Sequence, residues 1–116
     1  MRKVIGQQGE VNVSLIGAVP PNAVTTTLER DSAGRIIVSH SEKGHHHVLG
    51  ADVDVLARPN APAGMQIIYA IVKDPTSLSQ TAAAAHDEIA LEPGFYEIRI
   101  AREYNPFADE ARRVAD

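Results

Sequence analysis

Short apolar segments separated by turn residues make up most of this chain, and this pattern restricts the folds that it can adopt. In residues 11–15 apolar and polar side chains alternate, as in a strand with one buried face. Residues 35–40 are rich in β-branched side chains, and Met65–Val72 is a continuous apolar run typical of a buried strand. The sequence therefore predicts an all-β fold, either a small β-barrel or a β-sandwich, for which a jelly-roll or cupin-like arrangement is one form.

Two more strands are predicted further along the chain, at residues 52–56 and at Ile89–Leu91. The motif Glu92-Pro93-Gly94-Phe95 has Pro and Gly at the second and third positions of a type II turn. The sequence therefore predicts that Ile89–Leu91 forms a hairpin with residues 96–100. Residues 79–86, with four consecutive alanines, remain ambiguous between helix and strand.

The C-terminal residues have the signals of a short helix. Asn105 is a suitable N-cap, and Pro106 fits the first helical position. Arg112 and Arg113 would then complement the dipole at the helix C-terminus. Because neither a repeat nor a low-complexity linker interrupts the chain, residues 1–116 are predicted to form a single β-domain.

The composition of the chain argues against several functional classes. It contains no cysteine, which removes disulfides, thiolate nucleophiles and sulfur-ligated zinc. A net charge of −4 argues against a nucleic-acid partner, which usually requires a basic surface. No apolar run approaches the roughly 18 residues of a membrane span, and the N-terminus lacks the apolar stretch of a signal peptide. We therefore expect a cytoplasmic protein or one that enters a particle assembled there.

Histidines form the strongest functional signal of the sequence, because this side chain is the commonest metal ligand. Four of the five lie within eight residues, and the fifth lies well downstream; they are His40, His45, His46, His47 and His86. The cluster lies where two extended segments meet at Lys43-Gly44, so the sequence predicts a hairpin there.

Strand alternation predicts which of these side chains share a face. With Lys43-Gly44 as a two-residue turn, Glu42 is opposite His45 and His40 is opposite His47, all on one side of the hairpin. A four-residue loop would instead put His40 opposite His45 and leave the three histidines on the same side. That side also carries apolar residues, so it is expected to be buried and to favour neutral imidazoles.

Three imidazoles and a carboxylate suit a divalent Zn, Fe, Mn or Ni ion. His86 joins them only if a bulge interrupts the alternation of its strand. The alternative interpretation is a set of surface histidines or a hydrogen-bonded polar cluster. No catalytic or organic cofactor-binding residue is predicted, and the predicted metal ligands are His40, Glu42, His45, His47 and His86.

Several motifs resemble those of a family of small uncharacterised proteins encoded by tailed phages and bacteria. Those proteins have an opening like Gln-Gly-Asp-Val, a centre like His-Gly-Glu-x-x-Gly-His-x-His, and an ending like Pro-Gly-x-Tyr followed by Arg-Glu-Tyr. The matching motifs are Gln8-Gly9-Glu10-Val11, His40-Ser41-Glu42-Lys43-Gly44-His45-His46-His47, Pro93-Gly94-Phe95-Tyr96 and Arg102-Glu103-Tyr104. Here Glu10 replaces the usual Asp, and the central motif is one residue shorter. The resemblance implies a phage or prophage origin and brings no established reaction.

The chain has a weaker similarity to cupins, small β-barrels with a His-x-His pair, a glutamate and a later histidine around one metal. His45-x-His47 and His86 fit that pattern, whereas Glu42 precedes the pair and the cupin glutamate follows it. This similarity concerns the fold and does not establish an activity.

Three functional hypotheses follow. The leading one is a non-catalytic structural or binding module with a histidine-ligated metal, in a phage setting a virion accessory such as a capsid decoration protein. Its partners would be protein subunits, either copies of itself or capsid-type proteins, with neither nucleic acid nor membrane involved. The second is a cupin-like metalloenzyme, in which Glu42 would act as a general base. The third is a regulatory protein that binds a host partner.

Overall fold

The computed structural model describes residues 2–40, 46–81 and 88–101, which form ten β-strands and no helix. The all-β prediction is confirmed. In chain order the strands are β1 (Arg2–Gln8), β2 (Val11–Ile16), β3 (Val24–Thr25), β4 (Ile36–Ser39), β5 (His47–Leu49), β6 (Asp54–Ala57), β7 (Met65–Val72), β8 (Thr76–Gln80), β9 (Ile89–Leu91) and β10 (Gly94–Ala101).

The strands belong to two antiparallel sheets. The larger sheet has six strands in the order β1-β2-β10-β7-β6-β3, and the smaller has four in the order β4-β5-β8-β9. Strands that are neighbours in the chain pair as hairpins within one sheet, namely β1 with β2, β4 with β5, β6 with β7 and β8 with β9. The chain therefore crosses from one sheet to the other between hairpins.

One hydrophobic core takes side chains from both sheets. In β2 the inward residues alternate with Asn12 and Ser14, as the sequence predicts. Fully burying an aliphatic side chain of this kind stabilises a fold by about 1.5–3 kcal/mol. The core includes Val11, Val13, Ile68, Ala70, Val72, Ile98 and Ile100 from the larger sheet and Ile36, Val38, Leu49, Leu78 and Leu91 from the smaller.

The predicted hairpin around Pro93-Gly94 is wrong. Ile89–Leu91 does form a strand, β9, but this strand pairs with β8 of the smaller sheet. The next strand, β10, lies between β2 and β7 of the larger sheet. The turn therefore carries the chain between sheets, because a turn motif sets the local reversal and not the partner of each flanking segment.

Two further expectations concern helices. The predicted C-terminal helix, with Asn105 as its cap, lies outside the described residues. Among the residues that the structure does describe, no helix is long and apolar enough to cross a membrane.

Tyr96 fastens the crossing from β9 to β10. Its ring is buried in the core, and its hydroxyl donates a hydrogen bond of 2.5 Å to the Glu92 carbonyl oxygen, four residues earlier. Burial and the neighbouring Glu92 carboxylate raise the pKa of Tyr96 above its ordinary value. The folded protein therefore favours the neutral phenol.

Replacing Tyr96 with Phe tests this contact. We expect Tyr96→Phe to lower the free energy of unfolding by about 1 kcal/mol near pH 8, because one hydrogen bond is lost. A raised folded-state pKa contributes stability below the unfolded pKa of about 10 and loses it as the pH rises through the folded value. The gap between wild type and variant should therefore shrink above that pH. Urea unfolding from pH 8 to about pH 11 measures it, and a pH-independent gap would contradict the interpretation.

Candidate functional site

A buried histidine lies where the β1–β2 turn of the larger sheet meets β5 of the smaller sheet. His47 is the first residue of β5 and is 2% exposed. It alternates with Leu49, so both side chains point toward the core, as the sequence predicts. A polar ring at such a depth requires hydrogen-bond partners.

Gln8, at the end of β1, orients the imidazole. Its Oε1 lies 2.6 Å from Nδ1 of His47, and its Nε2 donates to the Leu78 carbonyl oxygen at 3.2 Å. Because an amide oxygen only accepts hydrogen bonds, Nδ1 of His47 is the protonated nitrogen. In the neutral ring the lone pair is then on Nε2.

Nε2 of His47 faces the carboxylate of Glu10. The distance from Nε2 to Oε1 of Glu10 is 3.6 Å, longer than a hydrogen bond. The same Oε1 accepts a hydrogen bond of 2.9 Å from the Ser39 hydroxyl, and the Glu10 carbonyl accepts one of 3.0 Å from the Ala101 amide. The carboxylate is thus held beside the ring by contacts with β4 and β10.

Gly9 allows the β1–β2 turn to approach the ring. Its φ of +58° lies in the left-handed region, which favours glycine. A Cβ at this position would lie 3.5 Å from Cε1 and 3.6 Å from Nε2 of His47. Glycine therefore leaves open the space beside the nitrogen that carries the lone pair.

The protonation states of the two groups follow from their surroundings. Burial lowers the pKa of His47, and this effect exceeds the opposing effect of the Glu10 carboxylate. Partial burial raises the pKa of Glu10, but hydrogen bonds from its own amide and from Ser39, with the nearby His47 ring, bring that pKa below its ordinary value. Near neutral pH a lone pair therefore faces a carboxylate. Two acceptors at this distance repel each other unless a cation lies between them.

The predicted pairing of His40 with His47 is wrong. The register shifts by one residue between Ile37 and Ser39, so that Ser39, not His40, is opposite His47. This bulge turns both Val38 and Ser39 inward and reverses the alternation after them. His40 is consequently exposed, and a local bulge of this kind leaves no mark in the pattern of apolar residues.

His40 takes part in a second, exposed contact. Its Nε2 lies 3.4 Å from Oε2 of Glu29, and the two side chains are 55% and 75% exposed. Its ring packs edge-on against that of His46, with 4.9 Å between the centroids. The structure therefore separates His40 from the buried ring of His47.

The remaining predicted ligands, Glu42, His45 and His86, lie outside the described residues and stay predictions. The described ends of their segments are adjacent, because His46 and Thr81 exchange two hydrogen bonds of 3.0 Å. Both ends lie next to His47, which pairs with Gln80. Within the described ranges no group of three or more His, Cys, Asp or Glu residues could hold a metal ion.

The sequence prediction of the site missed Gln8, Glu10 and Ser39. The motif Gln8-Gly9-Glu10-Val11 was the available signal for the first two, since it combines a turn glycine with two polar side chains. Sequence alone does not show that this turn meets a strand almost forty residues later. Ser39 had no signal, because its inward orientation comes from the bulge.

The chain belongs to a family described as a domain of unknown function, DUF8820, whose model matches residues 7–101. The match includes the whole Gln8-Glu10-Ser39-His47 cluster and ends at the last residue of β10. No curated protein and no solved structure matches the chain. The family assignment therefore establishes relatedness and leaves the function to the chemistry of the site.

Two neighbouring glutamines test how far the buried ring depends on Gln8. We expect Gln8→Ala to lower the free energy of unfolding by about 1–3 kcal/mol, because it leaves Nδ1 of His47 and the Leu78 carbonyl unpaired in the core. Gln7→Ala is the control, because that side chain is exposed and bonds only locally to Gly9. Urea unfolding of both variants measures the difference, and equal effects would contradict the role assigned to Gln8.

Proposed function

We propose that this protein is a non-catalytic structural module in which a divalent metal ion bound between Glu10 and His47 links the two sheets. The observation that carries the proposal is the approach of the His47 Nε2 lone pair to the Glu10 carboxylate, 3.6 Å away. This arrangement of an imidazole and a carboxylate without a proton between them is what a metal ion of the Zn, Fe, Mn or Ni type would satisfy.

The distance fits a shared ion. Imidazole nitrogen and carboxylate oxygen bind zinc at about 2.0–2.2 Å, so two ligands at a tetrahedral angle are about 3.4 Å apart. The observed separation of Nε2 and Oε1 is 3.6 Å. Gln8 adds the partner that metal-bound histidines usually have, a carbonyl-type oxygen that accepts the hydrogen bond of the other ring nitrogen. Only a small movement of Glu10 would complete the bonds.

Such an ion would act as a cross-link. Glu10 belongs to the β1–β2 turn of the larger sheet, and His47 belongs to β5 of the smaller sheet. An ion held by both would fix one end of the sandwich, where no disulfide is available. His45, Glu42 and His86 are the predicted further ligands, since the described ends of their segments lie beside His47.

Metal content and melting temperature test the proposal. We expect about one metal ion per chain in elemental analysis of the untagged protein, and a lower melting temperature after chelation, because the ion stabilises only the folded state. Glu10→Gln and His47→Asn should each weaken metal binding by about tenfold or more, as expected for the loss of a ligand. Zinc titration followed by calorimetry measures the affinity.

The exposed His40–Glu29 contact provides a matched control. It has the same residue types at 3.4 Å but lies on the surface. His40→Ala and Glu29→Gln should leave metal content and melting temperature unchanged. Loss of the metal in these variants but not in Glu10→Gln would move the site to the surface. A melting temperature that ignores the chelator in the wild type would overturn the structural role.

We further propose that the module is a virion accessory protein, such as a capsid decoration subunit. This step rests on the resemblance of its motifs to proteins of tailed phages. We expect the protein to co-sediment with assembled particles when lysates of the producing strain are separated on a density gradient. Its recovery only in the particle-free fractions, with particles present in the same gradient, would contradict the assignment.

A further inference from the structure

A row of side chains crosses the outer face of the larger sheet, the face opposite the core. The register places its members directly opposite one another on five adjacent strands, from β1 through β2, β10 and β7 to β6. We call this row the outer ridge; it consists of Arg2, Ile16, Phe95, Ile71 and Asp54.

The centre of the outer ridge is apolar and accessible. Phe95 is 37% exposed, and Ile16 and Ile71 on either side of it are only partly buried. Phe95 is thus a large aromatic ring that the fold leaves in contact with water. Aromatic residues flanked by aliphatic ones at the centre of a surface are typical of protein–protein contacts.

The two ends of the outer ridge have opposite charge. At one end Arg2 and Arg99 both approach the single carboxylate of Glu97, which leaves a net positive charge. At the other end Asp54 contacts Lys73 at 3.0 Å, and Asp52 and Asp74 line the same small cavity as Lys73. That end is therefore net negative.

We propose that the outer ridge is the contact surface for a second copy of this chain, related to the first by a two-fold axis through Phe95. A two-fold axis at the centre of the ridge reverses its direction, so Arg2 of each copy meets Asp54 of the other while the apolar residues meet in the middle. The surface is thus complementary to itself in both charge and hydrophobicity. This inference is independent of the metal site.

The dimensions permit both charge pairs to form at once. Neighbouring strands are about 4.8 Å apart, so the four intervals between β1 and β6 give a ridge about 19 Å long. One row of side chains buries less than the 1,200–2,000 Å² of a standard stable interface. We therefore expect a reversible dimer with a dissociation constant of about micromolar order.

Sedimentation velocity over a range of concentrations, with chelator present, tests the inference on the full chain. We expect a monomer–dimer equilibrium that Phe95→Glu shifts by about tenfold or more toward monomer, because a charge replaces the apolar centre. Val24→Glu is the matched control, since Val24 is 47% exposed on the same sheet but is not part of the outer ridge. This variant should dimerise like the wild type.

Charge reversal identifies the two-fold arrangement. Arg2→Asp and Asp54→Arg should each weaken the dimer, because like charges then meet at both ends. The double variant Arg2→Asp/Asp54→Arg exchanges the two ends and should restore dimerisation. Circular dichroism and melting temperature verify that each variant is folded. A wild type that stays monomeric at all concentrations, a dimer insensitive to Phe95→Glu, or no recovery in the folded double variant would each overturn the proposal.

Discussion

The imidazole of His47 lies where water does not reach it, so the fold has to supply its polar partners. Gln8 takes the proton-bearing nitrogen, and the Gln8 amide is in turn held by the Leu78 carbonyl of the smaller sheet. An unsatisfied polar group at this depth would cost about 1–3 kcal/mol, a large fraction of the stability of a small domain. The β1–β2 turn and β5 are therefore bound to one relative position.

The same contact explains the composition of the turn. Gly9 has a left-handed backbone that brings the turn against the ring, and Glu10 then lies beside the second ring nitrogen. The result is an acceptor pair that is repulsive as it stands and attractive once it shares a cation. Because the pair spans the two sheets, its chemistry and its mechanical effect on the sandwich are inseparable, which is why a structural role fits it better than an open catalytic centre.

Sequence periodicity predicted which faces of the strands are buried, and it did so well for β2, β5 and β7. It did not predict which strands are neighbours, because partners such as β2 and β10 are separated by most of the chain. The turn at Pro93-Gly94 was recognised, but its crossing between sheets was not. The site shows the same division: His47 was found from its place in an alternating pattern, whereas Glu10 reaches it only through the long-range fold.

The position of β10 has a consequence for how the protein is made. This strand, the last of those described, lies between β2 and β7 in the middle of the larger sheet. During synthesis the β1–β2 and β6–β7 hairpins leave the ribosome before the strand that joins them, and each then has an unpaired edge. The larger sheet closes only after residue 101 has emerged, so folding is completed late and depends on distant pairings that form slowly. Until then, the unpaired edges of β2 and β7 are open to other chains on the same polysome.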